Sequence, residues 1–176
     1  MNAMPIPAGG RPVALVARLI QWWAMLGGLL LLVIVLMTSY SAVAGFLFAS
    51  PFPGDFELTE MGIAIAAFCF LPWCQLANAN VSADIFTSGA SHATVRRLNR
   101  LGSLIALGFS ILLLWRMYEG MKDYQTYVEV TAILQIPIWY AFIPVLLSLV
   151  LLIIAALITL VYPQDQAAYS QPVETE

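Results

Sequence analysis

Four long apolar stretches, nearly free of charged residues, dominate this chain of 176 residues. A helix needs about 20 apolar residues to cross the hydrocarbon core of a bilayer, so each stretch can span a membrane. The predicted spans are residues 19–48, 57–79, 101–118 and 137–162. Residues 1–18 and 163–176 are predicted as tails, with no separate soluble domain. The sequence therefore predicts an all-α integral membrane protein with four transmembrane helices and short interfacial segments between the spans.

The composition agrees with this class. Apolar residues make up 61% of the chain and charged residues only 10%, far from the balance of a soluble domain. The net charge of −3 gives no basis for nucleic-acid binding, so no nucleic-acid partner is predicted.

Seven basic residues set the predicted orientation. Five of them lie before the first span or between the second and third spans: Arg11, Arg18, Arg96, Arg97 and Arg100. Arg116 and Lys122 fall on the opposite side. Because lysine and arginine concentrate in cytoplasmic loops, both termini are predicted to be cytoplasmic. Arg96, Arg97 and Arg100 are interpreted as topology anchors that attract anionic membrane lipids.

The first span is longer than a bilayer core requires. Ala42-Val43-Ala44, after a basic start, resembles a signal-peptide cleavage site. The apolar cores of signal peptides run only about 7–15 residues, however, so the segment is interpreted as a membrane helix that tilts or extends beyond the bilayer. Trp22 and Trp23 are predicted to lie at the cytoplasmic headgroup level.

Capping signals predict how the second and fourth helices begin. Asp55 is the predicted N-cap of the second helix, and Glu57 and Glu60 put negative charge on its first turns, where the helix dipole favours it. Pro72 removes one backbone hydrogen bond inside this helix and is expected to bend it. Pro137 is predicted in the first turn of the last helix, where its missing N–H costs nothing.

Small residues at four-residue spacing mark two candidate helix-packing or subunit-interface faces. Membrane helices associate by close approach of their backbones, which small residues permit. The second span carries Gly62 and Ala66, and the third carries Gly102, Ala106 and Ser110. The third-span stripe is the stronger candidate.

The polar segments between the spans allow more than one interpretation. Gln75, Asn78 and Asn80 form either a polar seam to another subunit or a helix end entering the headgroups. Residues 81–91 could form a brief interfacial helix, and residues 119–136 are expected to lie along the membrane surface.

Residue types that carry chemistry are sparse. The apolar bodies of the spans contain no charged residue, although proteins that transport an ion themselves usually carry such residues there. His92 is the single histidine, so two histidines cannot ligate haem within the chain. Cys69 and Cys74 point about 140° apart on a helix and are interpreted as small buried hydrophobes. No catalytic, cofactor or metal site is predicted. The chain is interpreted as a non-enzymatic partner in transport or a structural membrane protein.

Several short motifs occur in a characteristic order. They are the acidic start Glu57 and Glu60, FLP at 70–72, NVSAD at 80–84 and LQIPIW at 134–139. Over about residues 55–161, this pattern of four spans and motifs resembles the small, DctQ-type membrane subunit of tripartite ATP-independent periplasmic (TRAP) transporters. Pro72 and Asn80 stand where many members of that family carry glycine and histidine.

The resemblance implies a subunit of a secondary importer, a symporter, in the bacterial inner membrane. Its partners would be a large permease subunit and a periplasmic substrate-binding protein that delivers an organic acid. An ion gradient, sodium in this family, would drive import, and the small subunit would brace the large one without a cofactor. Two alternatives stay open: a four-helix membrane assembly or regulatory protein, and a membrane redox protein that binds quinone or haem.

Overall fold

The computed structural model describes residues 10–77 and 92–161. This part of the chain forms four helices: α1 (Gly10–Phe48), α2 (Asp55–Leu76), α3 (His92–Thr126) and α4 (Trp139–Val161). All four are long and apolar enough to cross a membrane. Within the described residues the only β pairing is an isolated antiparallel bridge between Val130 and Pro137. The prediction of an all-α fold with four spans is confirmed.

Two of the helices extend beyond the apolar stretches that predict them. α1 has 39 residues and begins at Gly10, so its length is about 58 Å against a bilayer core of about 30 Å. α3 has 35 residues and includes the polar segment 92–100, which holds no glycine or proline to stop a helix. The predicted span limits refer to the bilayer rather than to the helices, and they stay predictions.

The helices pack in the spatial order α1–α2–α4–α3. α2 contacts both α1 and α4 extensively, α4 also contacts α3 extensively, and α1 contacts α4 only over a short region. The order in space therefore differs from the order in sequence, because α4 lies between α2 and α3.

Two clusters of buried residues hold this row together. One joins α1, α2 and α4 through Ile20, Leu76, Leu151 and Ala155. The other is centred on Val145, Leu149 and Leu152 of α4, and side chains from both neighbours pack against it: Ile65, Phe68, Leu113, Leu114 and Met117. Since α4 contributes to both clusters, it is the central element of the packing.

The two helices at the ends of the row expose most of the apolar surface. On α1, large apolar side chains are exposed along the whole helix, from Leu15 to Phe48. α3 is the least buried of the four helices. Surfaces of this kind are stable against lipid or against another membrane protein, but not against water.

The turn between α1 and α2 corrects the predicted N-cap. Gly54 takes the cap position with a φ of 75°, and α2 begins at Asp55. The Asp55 carboxylate accepts hydrogen bonds from the Ser41 hydroxyl and from the amide of Phe56. The Ser41 hydroxyl in turn accepts a hydrogen bond from the Phe52 amide at 3.0 Å. Asp55 therefore ties the turn to α1 instead of capping α2, and a glycine without Cβ provides the left-handed cap.

The connection between α3 and α4 is short and internally hydrogen-bonded. Val128, two residues after the end of α3, has a φ of 49°, and the Glu129 amide donates to the Tyr124 carbonyl at 3.3 Å. This is the hydrogen bond of a Schellman cap, with valine where glycine is usual. The last helix begins at Trp139, so the prediction that Pro137 lies in its first turn is wrong. Pro137 pairs instead with Val130, and proline is tolerated in such an isolated bridge.

Candidate functional site

Several of the polar and small residues that the sequence singles out lie at packed positions between helices: Gly62, Ala66, Gln75 and Ser110. Within residues 10–77 and 92–161, no group of three or more His, Cys, Asp or Glu side chains could hold a metal ion. A shallow apolar groove of about 450 Å³ lies between α3 and α4, and it is lined by Ile111, Leu114, Trp115, Tyr118 and Leu146. The candidate functional surfaces are therefore helix faces rather than a pocket with reactive groups.

The backbones of α1 and α2 approach each other closely at one crossing. A Cβ atom built on Gly27 would lie 2.6 Å from the Cβ of Cys69 and 3.4 Å from the carbonyl oxygen of Ala66. Two turns further along the contact, a Cβ on Gly62 would collide with the side chain of Ile34. The structure thus brings Gly62 and Ala66 against α1 of the same chain. Gly27 was not singled out from the sequence, although it stands in a Gly-Gly pair.

Gln75 lies between α2 and α4. Its side chain is 4% exposed, and its amide donates a hydrogen bond of 3.1 Å to the hydroxyl of Thr159. That hydroxyl donates in turn to the Ala156 carbonyl at 3.0 Å. Asn78, Asn80 and the interfacial helix predicted over residues 81–91 lie outside the described residues. The contact of Gln75 with α4 is an interaction within the chain.

A second polar contact joins three helices at the middle of the row. The indole N–H of Trp23 in α1 donates to the Ser148 hydroxyl of α4 at 2.8 Å. The Ser148 oxygen lies 2.8 Å from the Pro144 carbonyl and 3.8 Å from the sulfur of Cys69 in α2. Cys69 is buried and both Cys69 and Cys74 are free. Trp23 therefore turns inward to a partner within the chain. Its predicted depth at the headgroup level stays a prediction.

The third-span stripe, Gly102, Ala106 and Ser110, is buried at one end and exposed at the other. Ser110 is 1% exposed, and its hydroxyl donates to the Ala106 carbonyl at 2.5 Å. Ala106 is half-buried, and Gly102 is exposed, with no atom of the described residues within 4 Å of a Cβ built on it. The stripe is thus packed within the chain at Ser110 and open at Gly102.

The arginines at the start of α3 lie at its exposed end. Arg97 and Arg100 are both exposed on the first turns of the helix. The side chain of Arg96 lies outside the described residues. Two of the three predicted topology anchors therefore lie just before the apolar stretch of α3 begins.

Glu57 connects the two turns at residues 49–54 and 127–138, and sequence reasoning missed its partners. Its carboxylate accepts hydrogen bonds from the amides of Ile133 at 2.6 Å and Leu134 at 3.1 Å, 76 and 77 residues away. The Leu134 side chain packs against Gly54 in the first turn. Glu57 therefore fastens the α3–α4 connection to the beginning of α2. No local sequence pattern predicts this contact, because its partners are backbone amides far along the chain.

We expect Glu57→Gln to loosen this connection. The neutral amide keeps one carbonyl oxygen, loses the charge and leaves one of the two amides without its acceptor. Hydrogen exchange of the Ile133 and Leu134 amides, measured by mass spectrometry in lipid nanodiscs, should accelerate by roughly tenfold or more. Glu60→Gln is the matched control, since the Glu60 carboxylate is exposed on the same helix with no hydrogen bond to the described residues. Equal exchange in both variants would contradict the assignment.

These features define the class of protein. The chain is a multi-pass membrane protein whose four helices are joined by small residues and by a few polar contacts between helices. Residues 34–164 match the family model of the tripartite ATP-independent periplasmic transporters, DctQ component. The chain therefore belongs to the DctQ family, a component of TRAP transporters, and the resemblance seen in the sequence is confirmed. Searches of curated proteins and of solved structures found no match.

The family match agrees with the boundaries of the fold. It begins in the second half of α1, covers α2, α3 and α4, and ends just beyond Val161. Membership identifies the chain as a transport component of the bacterial inner membrane.

Proposed function

We propose that this chain is the small permease subunit of a TRAP secondary transporter and that it braces the large permease subunit. The large subunit imports an organic acid that a periplasmic binding protein delivers, and an ion gradient drives the import. The observation that supports this most is the family match over residues 34–164, which covers α2, α3, α4 and the C-terminal part of α1. The substrate and the ion belong to the partners, so this chain contributes support rather than binding.

The arrangement of the helices suits a brace. Polar contacts fix α2 to α4 through Gln75 and Thr159, and α1 to α4 through Trp23 and Ser148. Interhelical hydrogen bonds of this kind average about 0.6 kcal/mol in membrane proteins, so several of them with close packing are needed for rigidity. The exposed apolar sides of α1 and α3 leave two lateral surfaces for a large partner.

The proposed orientation has both termini in the cytoplasm, because five of the seven basic residues lie on that side. The two compact turns, at residues 49–54 and 127–138, then face the periplasm. Glu57 links these two turns. They form the part of this subunit that lies nearest to an arriving binding protein.

The experiment that tests the proposed function is co-purification with the large permease subunit in mild detergent, together with uptake of organic acids by cells. The wild-type chain should co-purify, and deletion of its gene should abolish uptake. Failure of the wild-type chain to co-purify with any large permease subunit would refute the assignment.

Gly102→Leu separates subunit contact from folding. A leucine at Gly102 meets no atom of the described part of the chain within 4 Å of its Cβ, so the fold should be preserved. If the open end of the third-span stripe contacts the large subunit, the larger side chain should reduce both co-purification and uptake. Gly62→Leu is the contrasting variant, because it collides with Ile34 and should lower the yield of folded subunit itself. Unchanged co-purification of Gly102→Leu would show that this end faces lipid.

A further inference from the structure

The charge-free part of α3 is too short for an ordinary bilayer. It runs over residues 101–115, between Arg100 and Arg116, and measures about 22 Å along a helix. The hydrocarbon core is about 30 Å thick. The other charge-free stretches are all longer than 20 residues: 19–54, 61–83 and 130–164. At least one of the flanking arginines, Arg100 or Arg116, therefore sits within, or at the edge of, the depth that hydrocarbon occupies.

Arg116 projects from a surface that no other helix covers within residues 10–77 and 92–161. Five residues spaced three and four apart lie on one side of α3 and are all exposed: Gly102, Ile105, Phe109, Leu112 and Arg116. We call them the exposed α3 face. The other four are apolar or small, so the guanidinium is the only polar group among them.

No carboxylate of the described chain pairs with Arg116. The single ion pair within residues 10–77 and 92–161 joins Lys122 to Glu119 at 2.9 Å. Glu119 follows Arg116 by three positions on the same helix, and its carboxylate is used by Lys122. The guanidinium is therefore left without a counter-charge on an otherwise apolar surface.

Because of the direction of α3, the guanidinium of Arg116 cannot easily reach the nearer membrane surface. Side chains on an α-helix lean towards its N-terminus. Arg97 and Arg100, near the N-terminus of α3, consequently lean out of the membrane. Arg116, near the opposite end, leans back towards the middle of the bilayer. This argument holds for either orientation of the protein in the membrane.

We propose that the exposed α3 face packs against a membrane helix of the large permease subunit, and that an aspartate or glutamate of that helix pairs with Arg116. A guanidinium and a carboxylate form two parallel hydrogen bonds, which suits a site from which water is excluded. The apolar residues of the face supply the surrounding contact. The proposal rests on the proposed function and adds the chemistry of the contact.

Charge variants of Arg116 test the pairing in the assembled transporter. We expect Arg116→Gln to lower recovery of the large subunit about tenfold and Arg116→Glu to lower it further, because a carboxylate is left unpaired in the interface. Arg116→Lys should retain part of the recovery. Lys122→Gln and Glu119→Gln are matched controls on the same helix and should co-purify normally. If Glu119→Gln is as damaging as Arg116→Gln, the counter-charge lies within this chain and the proposal is wrong.

Site-directed photocrosslinking identifies the occupant directly. Benzoylphenylalanine in place of Leu112, one turn from Arg116, should crosslink to a membrane helix of the large subunit within one turn of an aspartate or glutamate. Changing that carboxylate to lysine should restore co-purification to Arg116→Glu. Crosslinks to lipid alone, or loss of a bound phospholipid from Arg116→Gln in native mass spectra, would assign Arg116 to a lipid phosphate and overturn the proposal.

The experiments distinguish failure of the proposed function from failure of the Arg116 pairing. If the wild-type chain never recovers a large subunit, the proposed function fails and this inference fails with it. If the wild-type chain recovers the subunit and Arg116→Gln recovers as much, only the pairing of Arg116 is refuted.

Discussion

Gly27→Ala is expected to destabilise the protein, whereas Gly28→Ala, one residue further, is expected to be neutral or stabilising. Both changes exchange glycine for the residue with the best helix propensity in the same helix. A methyl group on Gly27 would lie 2.6 Å from the Cβ of Cys69, while a methyl group on Gly28 meets only one ring carbon of Phe70, at 3.9 Å. The pair therefore isolates the effect of the α1–α2 crossing.

The collision at Gly27 cannot be relieved by a side-chain rotation. The Cβ of Cys69 is fixed by the backbone of α2, and the carbonyl oxygen of Ala66 lies 3.4 Å from the same point. The two helices have to separate, and overpacking of this kind typically lowers the free energy of unfolding by about 1–3 kcal/mol. The difference in stability between the two variants is measured by thermal unfolding in detergent, with the loss of monodisperse protein as the signal. Equal unfolding temperatures for the two variants would contradict the close approach.

Gly54→Ala is expected to have a comparable effect in the turn between α1 and α2, for two separate reasons. Gly54 has a φ of 75°, a conformation that costs an L-residue roughly 1–2 kcal/mol. Its Cβ would also lie 2.6 Å from a methyl carbon of Leu134, and the branching carbon and the other methyl of that side chain are close as well. Leu134 cannot move freely, because its amide is held by Glu57. The substitution should therefore disturb the contact between the two turns.

Ala49→Gly provides a control of opposite sign in the same turn. Ala49 has a φ of 51° with a Cβ, so glycine removes local strain at some cost in unfolded-chain entropy. Its unfolding temperature should be equal to or above that of the wild type, while that of Gly54→Ala falls. Hydrogen exchange at the Leu134 amide should accelerate in Gly54→Ala only. If both variants unfold alike, backbone conformation in this turn does not govern stability.

The sequence predicts the helices well because their signal is local. Long runs of apolar residues are sufficient to predict four membrane helices, and the positions of prolines and glycines approximate where they end. The exceptions are at helix ends, where tertiary contacts intervene. Asp55 has the residue type of an N-cap, but the buried hydroxyl of Ser41 draws its carboxylate away from the cap position.

The packing partners are not predictable from the sequence in the same way. Gln75 allowed two interpretations, and its contact with Thr159 depends on α4 lying beside α2, which no local pattern encodes. Trp23 and Trp22 have the same residue type and neighbouring positions, yet Trp23 binds Ser148 while Trp22 is exposed. Helix rotation separates these residues, and that rotation is set by the close approach at Gly27. The small stripe on α3 was visible in the sequence, but which of its ends is packed and which is open was not.

The position of α4 between α2 and α3 bears on how the protein is made. The hairpin of α1 and α2 has its main contacts as soon as α2 has been synthesised, whereas α3 packs chiefly on α4, which is synthesised after it. Helices that insert separately and associate later can tolerate such a delay. During that interval α3, with the shortest charge-free stretch and an arginine near its end, is the helix least suited to lipid. Biogenesis of this subunit should therefore depend on how long the insertion machinery retains α3 before α4 arrives.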